Sequence, residues 1–169
     1  MKYALRSSGS GWTENILLSL QGGAYGELPY GGVIFDQAGN LYGTTSYASG
    51  TAFQLTPSNG GWIPTLIYTF GRNGLGGPLE NLVRDQAGNL YGTTLAAGAY
   101  NFGNVFKLAP SNGAWTYTDL YDFTGGSDGA YPLGLVFDPN GNMYGIAAGG
   151  GNGSGCYLGG CGVIWEITP

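Results

Sequence analysis

One block of ten residues recurs three times along this chain of 169 residues. It begins at Asp36, at Asp85 and at Asp138, so that the copies are 49 and 53 residues apart. Self-similarity at a period near 50 residues is typical of proteins built from repeated supersecondary units, each of which buries its apolar surface against the next. The repeat therefore constrains the fold more than any other feature.

Three further blocks recur in a constant order around this one. We name the four segments of a unit A, B, C and D, and in the first full unit they start at Val33, Leu41, Phe53 and Trp62. The sequence Asp-x-x-Gly-Asn separates A from B, and Asn59-Gly60 separates C from D. Both are turn sequences, because Asp caps a turn and Gly adopts a positive φ. Each unit therefore predicts a four-stranded antiparallel meander.

Such meanders, repeated about every 50 residues, are typical of β-propeller blades. We predict an all-β fold of β-propeller type, with three four-stranded blade equivalents in a single repeat array over residues 1–169. Residues 1–32 are assigned to strands C and D and the D–A loop of a shared blade. The first blade is assigned to 33–70 and the second to 82–123. Residues 135–169 are assigned to strands A, B and C of the closing blade.

The order of the segments leaves the array incomplete, because it opens with C and D and closes with A, B and C. We expect the D strand from Trp12 to Leu20 to complete the blade whose C strand runs from Val163 to Thr168, although Tyr3 to Ser7 is a second C-type copy. Three blades are too few to close a ring. The sequence therefore predicts either a homodimer, which gives a six-bladed ring of 3+3 blades, or a longer propeller of which this chain is a segment.

Several residues that recur at equivalent positions are interpreted as structural. Pro64 predicts that D is an outer edge strand, where a missing N–H has no partner to lose. Glycines that follow the B-strand tyrosines are expected to let neighbouring blades pack closely. The recurring aromatic positions are interpreted as packing positions rather than sugar-stacking surfaces. These glycines are Gly43, Gly92 and Gly145, and the aromatic positions are Trp12, Trp62, Trp115, Trp165, Tyr42, Tyr91 and Tyr144.

Composition excludes several classes of partner. Charged residues make up 9% of the chain, and the net charge of −5 comes from singly scattered groups. Without a cluster of Lys and Arg, binding to nucleic acid or to an anionic membrane surface is not expected. No run of about 18 apolar residues is present, so a membrane-spanning helix is not predicted. The first residues lack the apolar core of a secretion signal, which indicates either that a signal has been removed or that the chain is a segment.

The two cysteines lie in the glycine-rich run Ser154–Gly162. Four residues separate Cys156 from Cys161, a spacing that can close a small disulfide loop and would indicate an oxidising compartment. Free thiols and half of a metal site remain alternatives. Zinc is disfavoured, because the chain has no histidine and no second cysteine pair to complete four ligands.

Divergence between the repeats is concentrated in the loops. The distance from the end of B to the C-strand aromatic grows from 8 to 12 to 18 residues. B–C and D–A loops emerge on one side of a propeller, which we call the loop face, and loops are where repeats acquire specificity. Its residues suit a neutral polar ligand such as a glycan, or a protein partner, although ordinary solvated loops explain them as well. The candidate ligand-binding residues are Tyr25, Tyr47, Tyr100, Asn101, Phe102, Asp128, Tyr131 and Tyr157.

Catalysis has little support in the sequence. Without histidine there is no Ser-His or Cys-His pair, and no glycine-rich phosphate loop leads from a strand into a helix. Asp36, Asp85 and Asp138 are interpreted as turn caps rather than calcium ligands, since a calcium loop needs several oxygen ligands at alternate positions. We expect no cofactor and no metal. A glycoside hydrolase with two converging carboxylates remains an alternative, with Glu14, Glu27, Glu80 and Asp128 as candidates by residue type.

The blocks together resemble the Gloeo-Verruco (GloVer) tandem repeats of bacterial extracellular proteins. The resemblance rests on Asp-x-x-Gly-Asn-Leu-Tyr-Gly-Thr-Thr, Gly-x-Val-Phe-x-Leu-x-Pro, Gly-x-Trp-x-x-x-x-Leu-Tyr-x-Phe and Gly-Gly-Ser-Asp-Gly-Ala-x-Pro, and it covers essentially the whole chain. The chain departs from the pattern at Arg84, at Ile146-Ala147 and in the loop from Gly71 to Pro78. The resemblance implies secretion or surface display and no particular activity. We therefore expect a non-enzymatic binding or structural module, or an architectural subunit of a surface layer or filament.

Overall fold

The computed structural model describes residues 13–47, 50–71 and 77–169. Over these residues the chain forms three antiparallel sheets and one short 3-10 helix, Gly23–Tyr25. The first sheet has the order β1 (Ile34–Phe35), β2 (Leu41–Thr45), β3 (Thr51–Ser58), β4 (Gly61–Thr69), and the second the order β5 (Val83–Arg84), β6 (Leu90–Thr94), β7 (Asn104–Ser111), β8 (Ala114–Asp122). The third has three strands, in the order β11 (Val163–Ile167), β10 (Met143–Gly149), β9 (Ala130–Phe137). The predicted all-β class is confirmed.

An aspartate caps the turn between the first two strands of every sheet. Asp36 Oδ1 accepts hydrogen bonds of 2.9 Å from the amides of Ala38 and Asn40. Asp85 Oδ1 accepts from the amide of Asn89 at 2.9 Å, and Asp138 Oδ1 accepts from Asn142 at the same distance. These carboxylates are therefore committed to the turns, as the sequence predicts.

Two-residue turns join the third and fourth strands of the first two sheets. Ser58 pairs with Gly61, and Ser111 pairs with Ala114. The φ angles of Asn112 and Gly113 are 48° and 82°, which are typical of the hairpin turns whose twist matches that of the flanking strands. Pro64 lies in β4, at the edge of its sheet.

Apolar side chains join each sheet to the next in sequence. The first sheet contributes Tyr42, Ala52 and Ile67 to a buried cluster with residues of the second. Val105 and Phe123 of the second sheet belong to another cluster with residues of the third. The second sheet's share of the first cluster is Leu82, Leu90, Phe106 and Leu108, and the third sheet's share of the other is Leu135, Met143, Ala147 and Trp165. The sheets are therefore layers packed in sequence order.

The glycines after the B-strand tyrosines have a different role from the one predicted. Each pairs with the aromatic residue of the next strand in the same sheet, as Gly92 does with Phe106. A Cβ on Gly92 would lie 2.7 Å from Phe106 Cζ, and one on Gly43 would lie 2.7 Å from Phe53 Cζ. Gly145 leaves room for Trp165 in the same way. The missing side chain makes space for a ring within the sheet rather than for a neighbouring sheet.

Residues 13–20 do not form the predicted D strand. They carry the D-type sequence but are assigned no strand, and Leu18 packs against the buried cluster Leu41, Phe53 and Leu55 on the outer face of the first sheet. The strand predicted to pair with them, β11, pairs with β10 alone in the described residues, and residues 13–20 lie on the first sheet instead. Without a partner for their N–H and C=O groups they form no strand. The expected C-type copy from Tyr3 to Ser7, Trp12, and residues 72–76 of the divergent loop lie outside the described residues.

The third sheet begins earlier than predicted. Its first strand starts at Ala130 rather than near Leu135, because β10 extends to Gly149 and provides partners for Ala130, Pro132 and Leu133 beyond a bulge at Gly145 and Ile146. In the part of the chain that the structure describes, no helix is long and apolar enough to cross a membrane.

Candidate functional site

Hydrogen bonds between loops join the B–C and D–A loops into one continuous surface. In the first sheet's B–C loop, the Tyr47 amide donates to Glu27 O at 3.2 Å and the Ser46 hydroxyl donates to Pro78 O. Leu95 N donates to Gly77 O at 3.3 Å, and Gly151 N to Gly126 O at 2.8 Å. Tyr131, which lies in β9 rather than in the predicted D–A loop, donates from its amide to Phe102 O at 2.8 Å. Each D–A loop is thus bonded to a neighbouring B–C loop, and the structure brings these loops to the same side of the sheets.

Tyr25 is a structural residue on this surface. Its hydroxyl donates to Pro64 O at 3.1 Å, and its carbonyl accepts from the Thr51 hydroxyl at 2.9 Å. Its ring packs on the outer face of the first sheet. Tyr47 is different, because its side chain is exposed. Of these two candidates, Tyr47 is therefore the one available to a ligand.

Phe102 and Tyr131 form an aromatic pair between the second and third sheets. Their ring centroids are 6.0 Å apart in an edge-to-face arrangement. Tyr131 has a φ of 59°, which is unusual for a bulky side chain. Leu28, which precedes Pro29 as Tyr131 precedes Pro132, also has a φ of 59°. Two units thus share the left-handed conformation, whereas Gly77, which precedes Pro78 in the unit between them, does not have it. The φ of Tyr131 is therefore not in itself evidence of a site.

The longest of the B–C loops, residues 150–162, is held closely against the sheet. Cys156 and Cys161 form a disulfide, and the amide of Gly162 donates to Gly150 O at 3.0 Å. A Cβ on Gly150 would lie 2.7 Å from Gly126 O, so this loop approaches its neighbour more closely than other residues allow. Tyr157, at the tip between the cysteines, is fully exposed. The loop thus presents an aromatic ring on a constrained backbone.

Two further candidates, Tyr100 and Asn101, lie on this surface in the B–C loop of the second sheet. Tyr100 is exposed, and Asn101, with a φ of 63°, donates from its amide to Gly98 O at 3.4 Å. Asn and Gly tolerate such conformations better than other residues, which explains the Asn-x-Gly sequence of this turn.

Asp128 caps a turn, and it lines one groove with a second acid, Glu166. Its Oδ2 accepts from the Thr124 amide at 2.8 Å and the Tyr121 hydroxyl at 3.1 Å, and its Oδ1 accepts from the Thr124 hydroxyl at 2.5 Å. Burial alone would raise the pKa of Asp128, but the hydrogen bonds from Thr124 and Tyr121 outweigh it and hold the pKa below its usual value. Asp128 is therefore ionised at neutral pH.

The other candidate acids lie at separate places. Glu80 lines a cavity of about 540 Å³ beside the first strands of the three sheets, whereas Asp128 lines a groove of about 330 Å³ beside β11. Glu14 is exposed in the segment before the first sheet, and the carbonyl of Glu27 accepts the Tyr47 amide.

One polar cluster was missed by the sequence analysis. In a groove of about 320 Å³, the rings of Tyr68 and Tyr117 stack at 4.5 Å, and the Tyr117 hydroxyl donates to Asp119 Oδ1 at 2.7 Å. Asn104, which is buried, donates to both Tyr117 and Asp119. Burial and the bond to Asp119 raise the pKa of Tyr117 far above its usual value. The sequence offers one signal for this cluster, because Tyr117 and Asp119 occupy alternate positions of a D strand. The cluster itself depends on contacts between two sheets, which the sequence does not show.

The comparisons with known proteins agree with the repeat. No curated protein matches the chain. The family model described as the Gloeobacter/Verrucomicrobia repeat matches residues 2–169, which is nearly the entire chain. The chain therefore belongs to the Gloeobacter/Verrucomicrobia repeat family.

Proposed function

We propose that this chain is a non-enzymatic binding and structural module of the bacterial exterior, built from propeller blades, whose loop face binds a neutral glycan or protein surface. The observation that carries the proposal is the exposed ring of Tyr157 on a loop closed by a disulfide. A large exposed aromatic side chain on a constrained loop loses little conformational entropy when it binds.

The arrangement of the sheets supports the propeller part of the proposal. The first strands of the three sheets, represented by Ile34, Val83 and Val136, line one shared cavity of about 540 Å³. In a propeller the innermost strands of successive blades surround a central channel. Each sheet also packs on the next in sequence order, as successive blades of a propeller do.

The chemistry of the loops supports a neutral ligand. Neither residues 95–103 nor residues 150–162 contain a charged side chain, and both carry an exposed tyrosine, Tyr100 and Tyr157. Tyrosine rings stack on sugars and on peptide surfaces while their hydroxyls form hydrogen bonds. Charged polymers have no partner on these two loops, so uncharged ligands are favoured.

The location proposed for the module rests on the disulfide and on the family resemblance. A disulfide between Cys156 and Cys161 is compatible with a location outside the cytoplasm, because cytoplasmic thiols are kept reduced.

A carbohydrate-active enzyme is the weaker alternative. A general acid needs a raised pKa, and the pKa of Asp128 is lowered. Glu80 lines a different cavity, and Glu166, which shares the groove of Asp128, accepts a hydrogen bond from the Tyr144 hydroxyl. The carboxylate that the sequence places on the loop face therefore behaves as a turn cap.

Binding can be tested with a glycan array and with retention on immobilised envelope polysaccharides. We expect Tyr157→Ala to weaken retention about tenfold, which corresponds to about 1.4 kcal/mol for one aromatic contact. Phe35→Ala is the matched control, since Phe35 is an exposed aromatic residue at the end of β1 beside the A–B turn, on the side of the sheet opposite the loop face. Blank arrays with the original protein at high concentration would remove the binding role and leave an architectural subunit of a layer or filament.

A further inference from the structure

One face of the third sheet exposes aliphatic side chains beside the hydrogen-bonded pair Tyr144 and Glu166. Ile164 of β11 is 85% exposed, and Ile146 of β10, which pairs with it, and Val136 of β9 are exposed as well. Their side chains point away from Leu135, Met143 and Trp165, which are buried against the second sheet. Exposed aliphatic side chains clustered on one sheet face are typical of an interaction surface.

The equivalent positions in the other two sheets are covered. Ala52 and Val105 occupy the position of Ile164 and are 0% exposed. Thr44 and Thr93, which pair with Ala52 and Val105 as Ile146 pairs with Ile164, are buried too. In both sheets the covering layer is the next sheet of the repeat. The chain therefore shows twice what covers such a face, namely the surface of a following sheet.

The third sheet also has an open strand edge on the side where the other sheets have their fourth strand. Within the described residues β11 pairs with β10 alone, whereas β3 and β7 also pair with β4 and β8. The groove of about 330 Å³ lies along this edge, between β11 and the side chains of Tyr121 and Phe123 at the end of β8. An open edge presents N–H and C=O groups that can pair with another strand.

Residues 13–20 are a fourth-strand sequence without a sheet. Leu18 lies on the buried cluster of the first sheet. The corresponding parts of the other two units also contact the following sheet. Tyr68, at the position of Leu18, packs on the cluster shared with the second sheet. Phe70 and Phe123, two positions later in their units, lie 4.8 Å from Phe106 and 5.8 Å from Trp165 between ring centroids. The segment therefore lies where the fourth strand of a preceding sheet would lie, and Ile16 and Leu17 are exposed on it.

We propose that residues 13–20 of one copy of this chain pair with β11 of a second copy, as the fourth strand of its third sheet. The first sheet of the one copy then covers Val136, Ile146 and Ile164 of the other. The second sheet separates the first sheet from the third within one chain, because each packs on a different face of it. Pairing within a chain would require the segment to leave the first sheet, whereas pairing between copies does not.

The repeat predicts the register of this pairing. Tyr68 pairs with Ala52 and Tyr121 pairs with Val105. Because Leu18 lies six residues after Trp12, as these tyrosines lie six residues after Trp62 and Trp115, Leu18 is expected opposite Ile164. Three residues after each tryptophan, Thr65 pairs with Gln54 and Thr118 pairs with Lys107. Asn15 is at the position of these threonines and Glu166 is at the position of Gln54 and Lys107, so Asn15 is expected opposite Glu166.

Cysteine cross-linking tests both the pairing and its register. Asn15→Cys in one preparation and Glu166→Cys in another are mixed and oxidised, and we expect a disulfide-linked dimer on a non-reducing gel from the mixture but not from either variant alone. Directly opposed residues have Cβ atoms close enough for this bond. Asn15→Cys mixed with Ser111→Cys is the control, since Ser111 is exposed on a hairpin of the second sheet. Equal cross-linking in the control, or a link formed only within a chain that carries both Asn15→Cys and Glu166→Cys, would overturn the proposal.

Solution mass provides a second measurement that does not depend on ligand binding. We expect the unaltered chain to have at least twice the 17.5 kDa of one copy and Ile164→Asp to reduce it to one copy. Ile164 is exposed in a single chain, so this variant is expected to fold, which its circular dichroism would verify. Ile63→Asp, at an exposed position of β4, should leave the mass unchanged. A monomeric mass for the unaltered chain rules out pairing between copies, whatever the glycan array shows.

Discussion

The hydroxyl of Tyr91 donates a hydrogen bond of 3.1 Å to Asp85 Oδ2, so the strand that follows the turn is tied to the residue that caps it. Tyr42 makes the same bond to Asp36 at 3.0 Å. In the third sheet, Tyr144 donates instead to Glu166 Oε1 on β11, at 2.7 Å. The Asp and Tyr of the repeat thus act as a local unit in the first two sheets.

Replacing this aspartate should destabilise the second sheet. Asp85→Ala removes the acceptor of the Asn89 amide, the Asn89 side chain and the Tyr91 hydroxyl. We expect a loss of about 1–2 kcal/mol in the free energy of unfolding, because the bonds are charge-assisted but partly exposed to water. Urea unfolding measures it. Gln86→Ala in the same turn is the control, and an equal loss in both variants would show that the carboxylate is not the cause.

Stability should fall in acid. Burial alone would raise the pKa of Asp36 and of Asp85, but the hydrogen bonds from Asn40 and Asn89 outweigh it and hold each pKa below its usual value. The unfolded chain therefore binds protons at a higher pH than the folded chain does, and stability is lost as the pH falls below about 4. The urea midpoint measured from pH 7 to pH 2.5 should decrease, and the decrease should be smaller in Asp85→Asn. A midpoint that is unchanged at pH 3 contradicts the expectation.

The free energy of unfolding should also decrease at alkaline pH. Burial and the bond to Asp36 raise the pKa of Tyr42 to about 12. The unfolded chain loses this proton near pH 10, so stability decreases from about pH 10 upwards. Between the two limits the chain has no histidine to titrate, so the urea midpoint should be nearly constant from about pH 5 to pH 9. Tyr42→Phe should reduce the alkaline decrease, and a decrease of the same size in that variant would assign it to other groups.

Gly92→Ala should be destabilising for steric reasons alone. Its backbone is not in the left-handed region, but the new methyl group would lie 2.7 Å from Phe106 Cζ and 3.1 Å from Leu82 Cδ2. We expect a loss of about 1–3 kcal/mol in urea unfolding. Adding Phe106→Leu should cost less in Gly92→Ala than in the original chain, because the shorter side chain removes the clash. Strictly additive losses would exclude this explanation.

The disulfide is expected to contribute little to global stability. Replacing Cys156 and Cys161 with serine together opens a loop with a sequence separation of 5, and a loop so short accounts for at most about 2 kcal/mol. Circular dichroism should show an intact sheet structure, while retention on polysaccharide should decrease as Tyr157 loses its constrained backbone. If retention is unchanged, the disulfide has no role in presenting the ring.

Local turn chemistry explains why most strands could be predicted from the sequence. Asp-x-x-Gly-Asn and Asn-Gly each define a hairpin within a few residues, so the strands on either side follow. The space that Gly92 leaves could not be predicted, because it depends on which residue pairs with Phe106 across the sheet. Leu18 has the sequence context of a strand, but whether a strand forms depends on a partner that the sequence does not specify. The cluster of Asn104, Tyr117 and Asp119 likewise depends on cross-strand register and on contacts between sheets.

The three sheets should differ in mechanical resistance. Within the described residues of a single copy, the third sheet has three strands where the others have four, and one of its faces is covered by a neighbouring sheet. In a linear stack, stability is approximately the sum of each layer and its contacts with neighbours. When a single copy is pulled, we expect the third sheet to detach before the second, which is covered on both faces. In a single-molecule experiment the chain would then extend in discrete steps rather than in one event.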